Sequence, residues 1–162
     1  LKMLVESFKT IPDNNIELHL YGSGSYVEEL IGETKADSRI KFWGVKSNDE
    51  IVEAESKATL LVNPRFTTEE FTRYSFPSKN MEYMVSGTPV LTTKLPGMPS
   101  EYYPYVYLIE DESVDGFALA MSSILQLPSD ILQRKGLAAR NFVLREKNNI
   151  RQGGRIMNLI IE

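Results

Sequence analysis

Short apolar runs that alternate with amphipathic segments limit the fold of this chain more than any other feature of its sequence. Strand-like and helix-like segments succeed one another four or five times, and the central runs, residues 58–62 and 89–92, are apolar without alternation. Strands of this kind are buried on both faces, as in a parallel sheet that helices cover on either side. The pattern therefore predicts an α/β fold: a Rossmann-like, three-layer domain with a parallel sheet and extra C-terminal helices.

The predicted elements follow from periodicity, caps and turn residues. Strands are predicted at residues 16–21, 40–43, 58–62, 89–92 and 105–109. Helices are predicted at residues 1–9, 25–35, 47–55, 77–86, 113–126, 129–145 and 147–161. Ser47 is a suitable cap for its helix, Pro77 suits a first helical position, and Gly87 suits a helix end. Helical spacing begins with the first residue, so we expect the chain to be a fragment of a longer protein, with residues 1–162 as one domain.

Composition excludes several classes of function. The chain has no cysteine, which excludes disulfides, thiolate catalysis and cysteine-zinc sites and agrees with a cytoplasmic location. Its net charge of −4 disfavours nucleic acid as a partner. His19 is the single histidine, so paired-histidine zinc motifs are excluded and a structural role in its strand is favoured. No apolar run is long enough to predict a transmembrane helix.

In doubly wound sheets, ligands bind outside the carboxyl ends of the strands. The predicted loops at that edge are residues 22–25, 44–47, 63–76 and 93–99. The first contains Gly22 and Gly24, which match the start of the dinucleotide fingerprint G-x-G-x-x-G. Val27 occupies the third glycine position, and no ribose-binding acid follows the strand at 40–43. An NAD-type dinucleotide site is therefore an alternative that the sequence supports weakly, and a turn that admits a ligand close to the backbone remains open.

The second candidate is the segment SFPSKNME, residues 75–82, where a loop enters a helix. Free backbone N–H groups and the helix dipole at such an N-terminus attract an anion. Ser75 or Ser78 can cap the helix, and Lys79 adds positive charge. Glu82, about one turn further on, can accept hydrogen bonds from two ribose hydroxyls. This spacing fits a nucleoside diphosphate; the alternative is a capped surface helix with an exposed glutamate.

Taken in order, these motifs resemble the C-terminal half of a family 4 retaining glycosyltransferase of GT-B architecture, which has two Rossmann-like domains. The segments that carry the resemblance are LKMLVESFK, IELHLYGSGSYVEEL, RIKFWGVKSNDEI, ATLLVNP and SFPSKNMEYMVSGTPVLTT. They cover nearly the whole chain, and the last is the most specific. The resemblance implies an enzyme that transfers a hexose from a UDP- or GDP-sugar and needs no metal or other cofactor.

The resemblance also implies roles for single residues. Glu82 would be the second glutamate of the family's E-x7-E motif and bind the donor ribose. The diphosphate would be held by backbone N–H groups of Ser75, Phe76 and Ser78. Val45 and Lys46 would flank the base, and Gly22 and Gly24 would line the cleft. From their loop positions alone, Arg65 and Lys79 are predicted to offset phosphate charge.

The chain departs from the family pattern at two points. Tyr74 stands where the first glutamate of E-x7-E belongs, and Glu69 or Glu70 in the same loop is a possible substitute. The family's diphosphate-binding Arg and Lys would lie upstream of residue 1, as would the N-terminal acceptor domain. No catalytic residue is therefore assigned, and the 162-residue piece alone is expected to be inactive.

Family members act in synthesis of capsular polysaccharide, lipopolysaccharide and other glycoconjugates, which implies a bacterial enzyme with a glycan or lipid-linked glycan acceptor. A peripheral position at the inner membrane face is implied in the same way. Three alternatives stay open: the NAD-type domain, half of a sugar-nucleotide epimerase, and a non-catalytic interaction module. A phospho-receiver module is disfavoured because the strands at 16–21 and 58–62 lack its acidic residues. Trp43 is predicted to lie in the core.

Overall fold

The computed structural model describes residues 1–74 and 76–161 of the chain. Its α-helices are α1 (Lys2–Thr10), α2 (Val27–Ala36), α3 (Asn48–Lys57), α4 (Ser78–Ser86), α5 (Val114–Leu125), α6 (Ser129–Glu146) and α7 (Asn149–Ile161). Its strands are β1 (Leu18–Leu20), β2 (Ile40–Phe42), β3 (Leu61–Asn63), β4 (Val90–Thr93) and β5 (Tyr107–Ile109). Short 3₁₀ helices, Glu70–Arg73 and Ser100–Tyr105, lie in the loops that follow β3 and β4. The order of strands and helices is the predicted one.

Within the described residues, the strands form two parallel sheets. β1 pairs with β2, and β3, β4 and β5 pair in that order. The prediction of parallel pairing is confirmed, although the five strands are divided between two sheets instead of forming one. All four residues of the central strand β4 are buried, as its unbroken apolar character and its two paired neighbours require.

One hydrophobic cluster lies between the two sheets and the helices α1 and α5, which cover one face of the sheets. It combines strand residues from both sheets with the apolar stripes of α1 and α5, which pack on each other. Its buried members on the helices include Leu4, Val5 and Phe8 of α1 and Phe117, Met121 and Ile124 of α5. The spacing of these residues at three and four positions along each helix is the reason that one side of the helix is buried.

A second cluster lies on the other face of the three-stranded sheet. Met84 of α4 and Ala139 and Val143 of α6 pack there against Val90 of β4. Helices α4 and α6 approach closely because Gly136 has no side chain: a Cβ there would lie 1.9 Å from the carbonyl oxygen of Gly87. Helices therefore cover both faces of this sheet, which confirms the three-layer prediction.

Two sequence-based expectations about aromatic residues are wrong. Trp43 lies outside the core with 49% of its surface exposed. Successive residues of a strand point to opposite faces of the sheet. Because Phe42, the last residue of β2, packs against the first cluster, Trp43 points to the face away from that cluster. Tyr105 was expected to open a strand, but it ends the 3₁₀ helix Ser100–Tyr105 and stacks on Phe142 with ring centroids 4.2 Å apart.

Candidate functional site

The two glycine loops meet where β1 and β2 end. The backbone N–H of Gly22 donates to the carbonyl oxygen of Gly44 at 2.8 Å. Gly22, Gly24 and Gly44 all have positive φ angles, and a Cβ built on any of them would meet nothing within 4 Å. Open space therefore lies beside the backbone of these turns, and the binding of a ligand there by Gly22 and Gly24 stays a prediction.

Val45 and Lys46 stand between this turn and helix α3. Val45 is exposed, and the Lys46 ammonium lies 3.2 Å from the Glu50 carboxylate. Ser47 caps α3 in the predicted way: its hydroxyl accepts from the Glu50 N–H, and the Glu50 carboxylate accepts from the Ser47 N–H at 2.9 Å. This capping box fixes where the loop ends, so Val45 and Lys46 are presented at a defined position.

The long loop after β3 is tied to the rest of the domain at several points. The N–H of Thr67 donates to the Glu112 carboxylate at 3.0 Å, and the N–H of Gly97 donates to the carbonyl of Thr72 at 2.8 Å. The Thr93 hydroxyl donates to the carbonyl of Arg65, whose guanidinium lies over the Phe71 ring. Arg65 is thereby placed just beyond the carboxyl ends of β3 and β4.

Helix α4 begins at the end of this loop, and its first turn differs in detail from the prediction. The residue before the helix is Pro77, which has no side chain able to cap, and Ser78 is the first helical residue. Ser78 therefore does not cap the helix; Ser75, the other predicted cap and phosphate-binding residue, lies outside the described residues. The Phe76 ring packs on Tyr102 with centroids 4.9 Å apart, so only the Phe76 backbone remains for the predicted contact with phosphate.

A buried polar network, which the sequence analysis missed, fixes α4 to the sheet. The Asn63 amide donates to the Asn80 side-chain oxygen at 2.7 Å, and the Asn80 amide donates to the Thr92 hydroxyl at 3.2 Å. All three residues are buried. Buried polar groups that satisfy each other specify one arrangement, so this network sets the position of the α4 N-terminus above β3 and β4. The polar residues that end two apolar runs, Asn63 and Thr92, were its only signal in the sequence.

Glu82 and Lys79 contact each other on α4. The Lys79 ammonium lies 3.0 Å from Oε1 of Glu82 and 3.9 Å from Oε1 of the buried Glu55 of α3. It also lies over the ring of Tyr83. Burial, reinforced by the charges of Glu55 and Glu82, raises the pKa of Tyr83 to about 12. Lys79 thus lies between carboxylates, and Glu55 is a member of this group that the sequence analysis did not identify.

Neither Glu69 nor Glu70 takes a buried position that would replace the glutamate expected at Tyr74. Tyr74 is 82% exposed and projects from the end of the 3₁₀ helix Glu70–Arg73, while Glu69 and Glu70 are exposed beside it. Across the described residues, no three acidic or histidine side chains gather in a way that could hold a metal ion. No described helix is long and apolar enough to cross a bilayer.

These features define an α/β domain with open glycine turns and a helix N-terminus at the carboxyl ends of parallel strands. The chain matches the family model described as glycosyl transferases group 1 over residues 1–127. It belongs to that family. No curated protein matches it.

Two solved structures resemble the fold of this chain. TarM is 20% identical, with a TM-score of 0.75, over 98% of this chain and 31% of TarM. AviGT4, a glycosyltransferase involved in avilamycin A biosynthesis, is 16% identical, with a TM-score of 0.51, over 92% of this chain and 46% of AviGT4. The α/β fold therefore matches GT-B glycosyltransferases, and this chain spans less than half the length of either protein.

Proposed function

We propose that this chain is the C-terminal, donor-binding domain of a family 4 retaining glycosyltransferase, in which it binds the nucleoside diphosphate of a UDP- or GDP-sugar. The observation that carries the proposal is the arrangement at α4, where the helix begins at Ser78 after Pro77 and Glu82 follows one turn later. The N–H groups at a helix N-terminus suit a diphosphate, and a carboxylate that can accept from two hydroxyls suits a ribose.

The reaction would develop negative charge on the leaving diphosphate as the bond to the sugar breaks. Preorganised donors around the leaving oxygens are the main electrostatic means of lowering such a barrier. The N–H groups at the start of α4 would supply part of this stabilisation, together with Arg65 above β3. Lys79 would have to exchange its contacts with Glu55 and Glu82 for the phosphate in order to contribute.

The remaining parts of the proposal concern the whole protein. The diphosphate-binding Arg and Lys, the acceptor domain and the hexose-transferring activity belong to a longer polypeptide, and residues 1–162 alone would be inactive. The acceptor would be a glycan or a lipid-linked glycan of a bacterial surface polysaccharide, reached from the cytoplasm or the inner face of the membrane. Membership of the glycosyl transferases group 1 family supports this reading over an NAD-dependent enzyme or an interaction module.

Calorimetric titration of the protein with UDP, GDP, ADP and NAD tests the donor site. We expect one nucleoside diphosphate to bind and Glu82→Gln to weaken it on the order of tenfold, because a charged acceptor for the ribose hydroxyls is lost. Glu53→Gln is the matched control, since Glu53 is an exposed glutamate on α3 that pairs with Lys57. Binding of NAD in preference to the nucleoside diphosphates, with Glu82→Gln unchanged, would contradict the proposal.

A further inference from the structure

Tyr102 connects the loop after β4 to the beginning of α4. It lies in the 3₁₀ helix Ser100–Tyr105, and only 4% of its surface is exposed. Its ring centroid lies 4.9 Å from that of Phe76, and its hydroxyl donates to the sulfur of Met81 at 3.7 Å. Along the chain, Pro77 and the start of α4 come between these two residues. A single buried side chain therefore contacts the chain on both sides of the start of the helix.

The two residues that Tyr102 contacts occupy positions that control how a chain enters a helix. Ser78 is the first residue of α4 and Pro77 is its cap, so Phe76 is at position N′ and Met81 at position N4. Apolar side chains at these two positions fix the entry angle of the chain. Both pack against the second hydrophobic cluster, to which Tyr102 belongs. The proline ring between them restricts rotation about its φ angle, which is −74°. The place of the Phe76 ring therefore constrains the direction of the N–H groups at the start of α4.

Tyr102 is itself held by a cation at the end of α6. The Lys147 ammonium lies 4.9 Å from the centroid of the Tyr102 ring and 5.3 Å from that of Phe142, and it pairs with the Glu101 carboxylate. The Lys147 side chain is 8% exposed, and the attraction of a cation to a ring is stronger where water is excluded. Phe142 meets Tyr102 edge to face, with centroids 5.2 Å apart. These contacts fix the orientation in which Tyr102 meets Phe76.

We propose that Tyr102 is a positioning residue for the donor diphosphate, which through Phe76 and Met81 sets the place of the backbone N–H groups at the start of α4. This inference rests on the proposed function, because it takes those N–H groups as the groups that bind the diphosphate. In this role Tyr102 acts through the backbone and makes no contact with the ligand. Groups that are held in their binding geometry before the ligand arrives lose less entropy on binding, so the affinity depends on Tyr102.

Calorimetric titration of Tyr102→Leu and Tyr102→Phe with UDP and GDP tests the inference. Leucine keeps an apolar side chain but cannot make the ring contact with Phe76, so we expect the affinity to fall on the order of tenfold. Phenylalanine keeps the ring and loses only the hydrogen bond to a thioether, which is a weak acceptor. Tyr102→Phe should therefore bind close to the wild-type value.

Tyr105→Leu is the matched control for a loss of packing. Tyr105 lies in the same 3₁₀ helix and stacks on Phe142 with centroids 4.2 Å apart, whereas the ring in contact with Phe76 is that of Tyr102. Removal of the Tyr105 ring should lower the melting temperature, as removal of the Tyr102 ring does, and leave the affinity for the nucleoside diphosphate at the wild-type value. The titrations are made well below the melting temperature of each variant.

Phe76→Leu keeps the inference testable if Tyr102→Leu does not fold. Phe76 is half-buried, and this substitution leaves its backbone N–H in place while it removes the ring that Tyr102 contacts. We expect the same fall in affinity as for Tyr102→Leu. In the double variant the second substitution should add little, because both remove one interaction.

Three results would overturn the inference. One is that Tyr102→Leu or Phe76→Leu binds UDP and GDP as the wild type does. Another is that Tyr105→Leu loses as much affinity as Tyr102→Leu, which would mean that any loss of packing in the cluster weakens binding. The third is that Tyr102→Phe loses as much affinity as Tyr102→Leu.

The two proposals fail in distinguishable ways. If Glu82→Gln weakens binding and Tyr102→Leu does not, the role of Tyr102 is wrong and the donor site stands. If neither UDP nor GDP binds to the wild type, or if Glu82→Gln binds as the wild type does, the donor site is wrong, and the role of Tyr102 is wrong with it.

Discussion

At the scale of single residues, two helical glycines show how much the neighbourhood of a position matters. A Cβ at Gly136 of α6 would lie 1.9 Å from the Gly87 carbonyl oxygen, whereas a Cβ at Gly32 of α2 would meet nothing within 4 Å. Gly136→Ala should therefore destabilise the protein by about 1–3 kcal/mol through overpacking. Gly32→Ala should stabilise it by about 0.4–1 kcal/mol because it restricts the unfolded chain.

Chemical denaturation of both glycine variants measures these two effects, with the wild type as reference. The same substitution is expected to shift the unfolding midpoint in opposite directions at the two positions. Equal shifts would mean that the close approach of α4 and α6 does not depend on the missing side chain at Gly136.

The capping box of α3 predicts a loss of stability in acid. Hydrogen bonds from the Ser47 N–H and hydroxyl, reinforced by Lys46, lower the pKa of Glu50 from 4.5 to about 2. The ionised form stabilises the fold above the unfolded-state pKa, and this stabilisation is lost as the pH falls toward the folded-state value. We expect the melting temperature of Glu50→Gln to fall less between these two pH values than that of the wild type.

Thermal melts across this pH range make the comparison, and Glu53→Gln on the same helix is the control that should keep the wild-type decline. If Glu50→Gln loses as much stability in acid as the wild type does, then protonation of Glu50 in the capping box does not contribute to the loss.

Local chemistry explains which of these residues the sequence could predict. Ser47 and Gly87 were predicted correctly because a cap and a helix end depend on residues close in the chain. Glu55 was missed because a glutamate on a largely polar helix is ordinarily exposed, and Lys79, the residue it pairs with, comes from another helix. Trp43 was wrongly placed in the core, because an aromatic residue after a strand does not reveal which face of the sheet is covered.

At the scale of secondary structure elements, the attachment of α4 to the sheet depends on the buried amide of Asn80. Asn80→Ala would leave the Asn63 amide and the Thr92 hydroxyl without this partner in the interior. An unsatisfied buried polar group costs about 1–3 kcal/mol, so we expect a loss of stability of this size. Because the same network places the N-terminus of α4, nucleoside diphosphate binding should weaken as well.

Denaturation and titration of Asn80→Ala should be compared with Asn141→Ala, a substitution at an exposed position of α6. We expect both the stability and the affinity of the control to match the wild type. Loss of stability without loss of affinity would show that the network supports the fold but not the site.

Element type was easier to predict than element length. The strand predicted at residues 58–62 begins only at Leu61, and the strand predicted at 105–109 begins only at Tyr107. Apolar residues outside the paired segments, such as Leu60, still pack against the core, so hydrophobicity alone extends a predicted strand beyond its hydrogen bonds. The 3₁₀ helix Glu70–Arg73 in the predicted loop gave no periodic signal because it is a single turn.

At the scale of the whole molecule, the parallel strands and the covering helices followed from unbroken apolar runs, and both are present. The division into two sheets did not follow, because periodicity shows that a strand is buried but not which strand lies beside it. The predicted site residues fall into two groups, one around the glycine turns of β1 and β2 and one around α4. Only the fold determines how these two groups are arranged.

Amide NMR shifts of the protein during titration with UDP, GDP, ADP and NAD test whether the domain binds a nucleoside diphosphate through α4. We predict that one nucleoside diphosphate shifts the amides of residues 78–82 and 44–46, and that Glu82→Gln reduces these shifts at equal ligand concentration. Shifts confined to residues 22–25, produced by NAD and unaffected by Glu82→Gln, would mean that the domain binds a dinucleotide at its glycine turn and not a nucleoside diphosphate at α4.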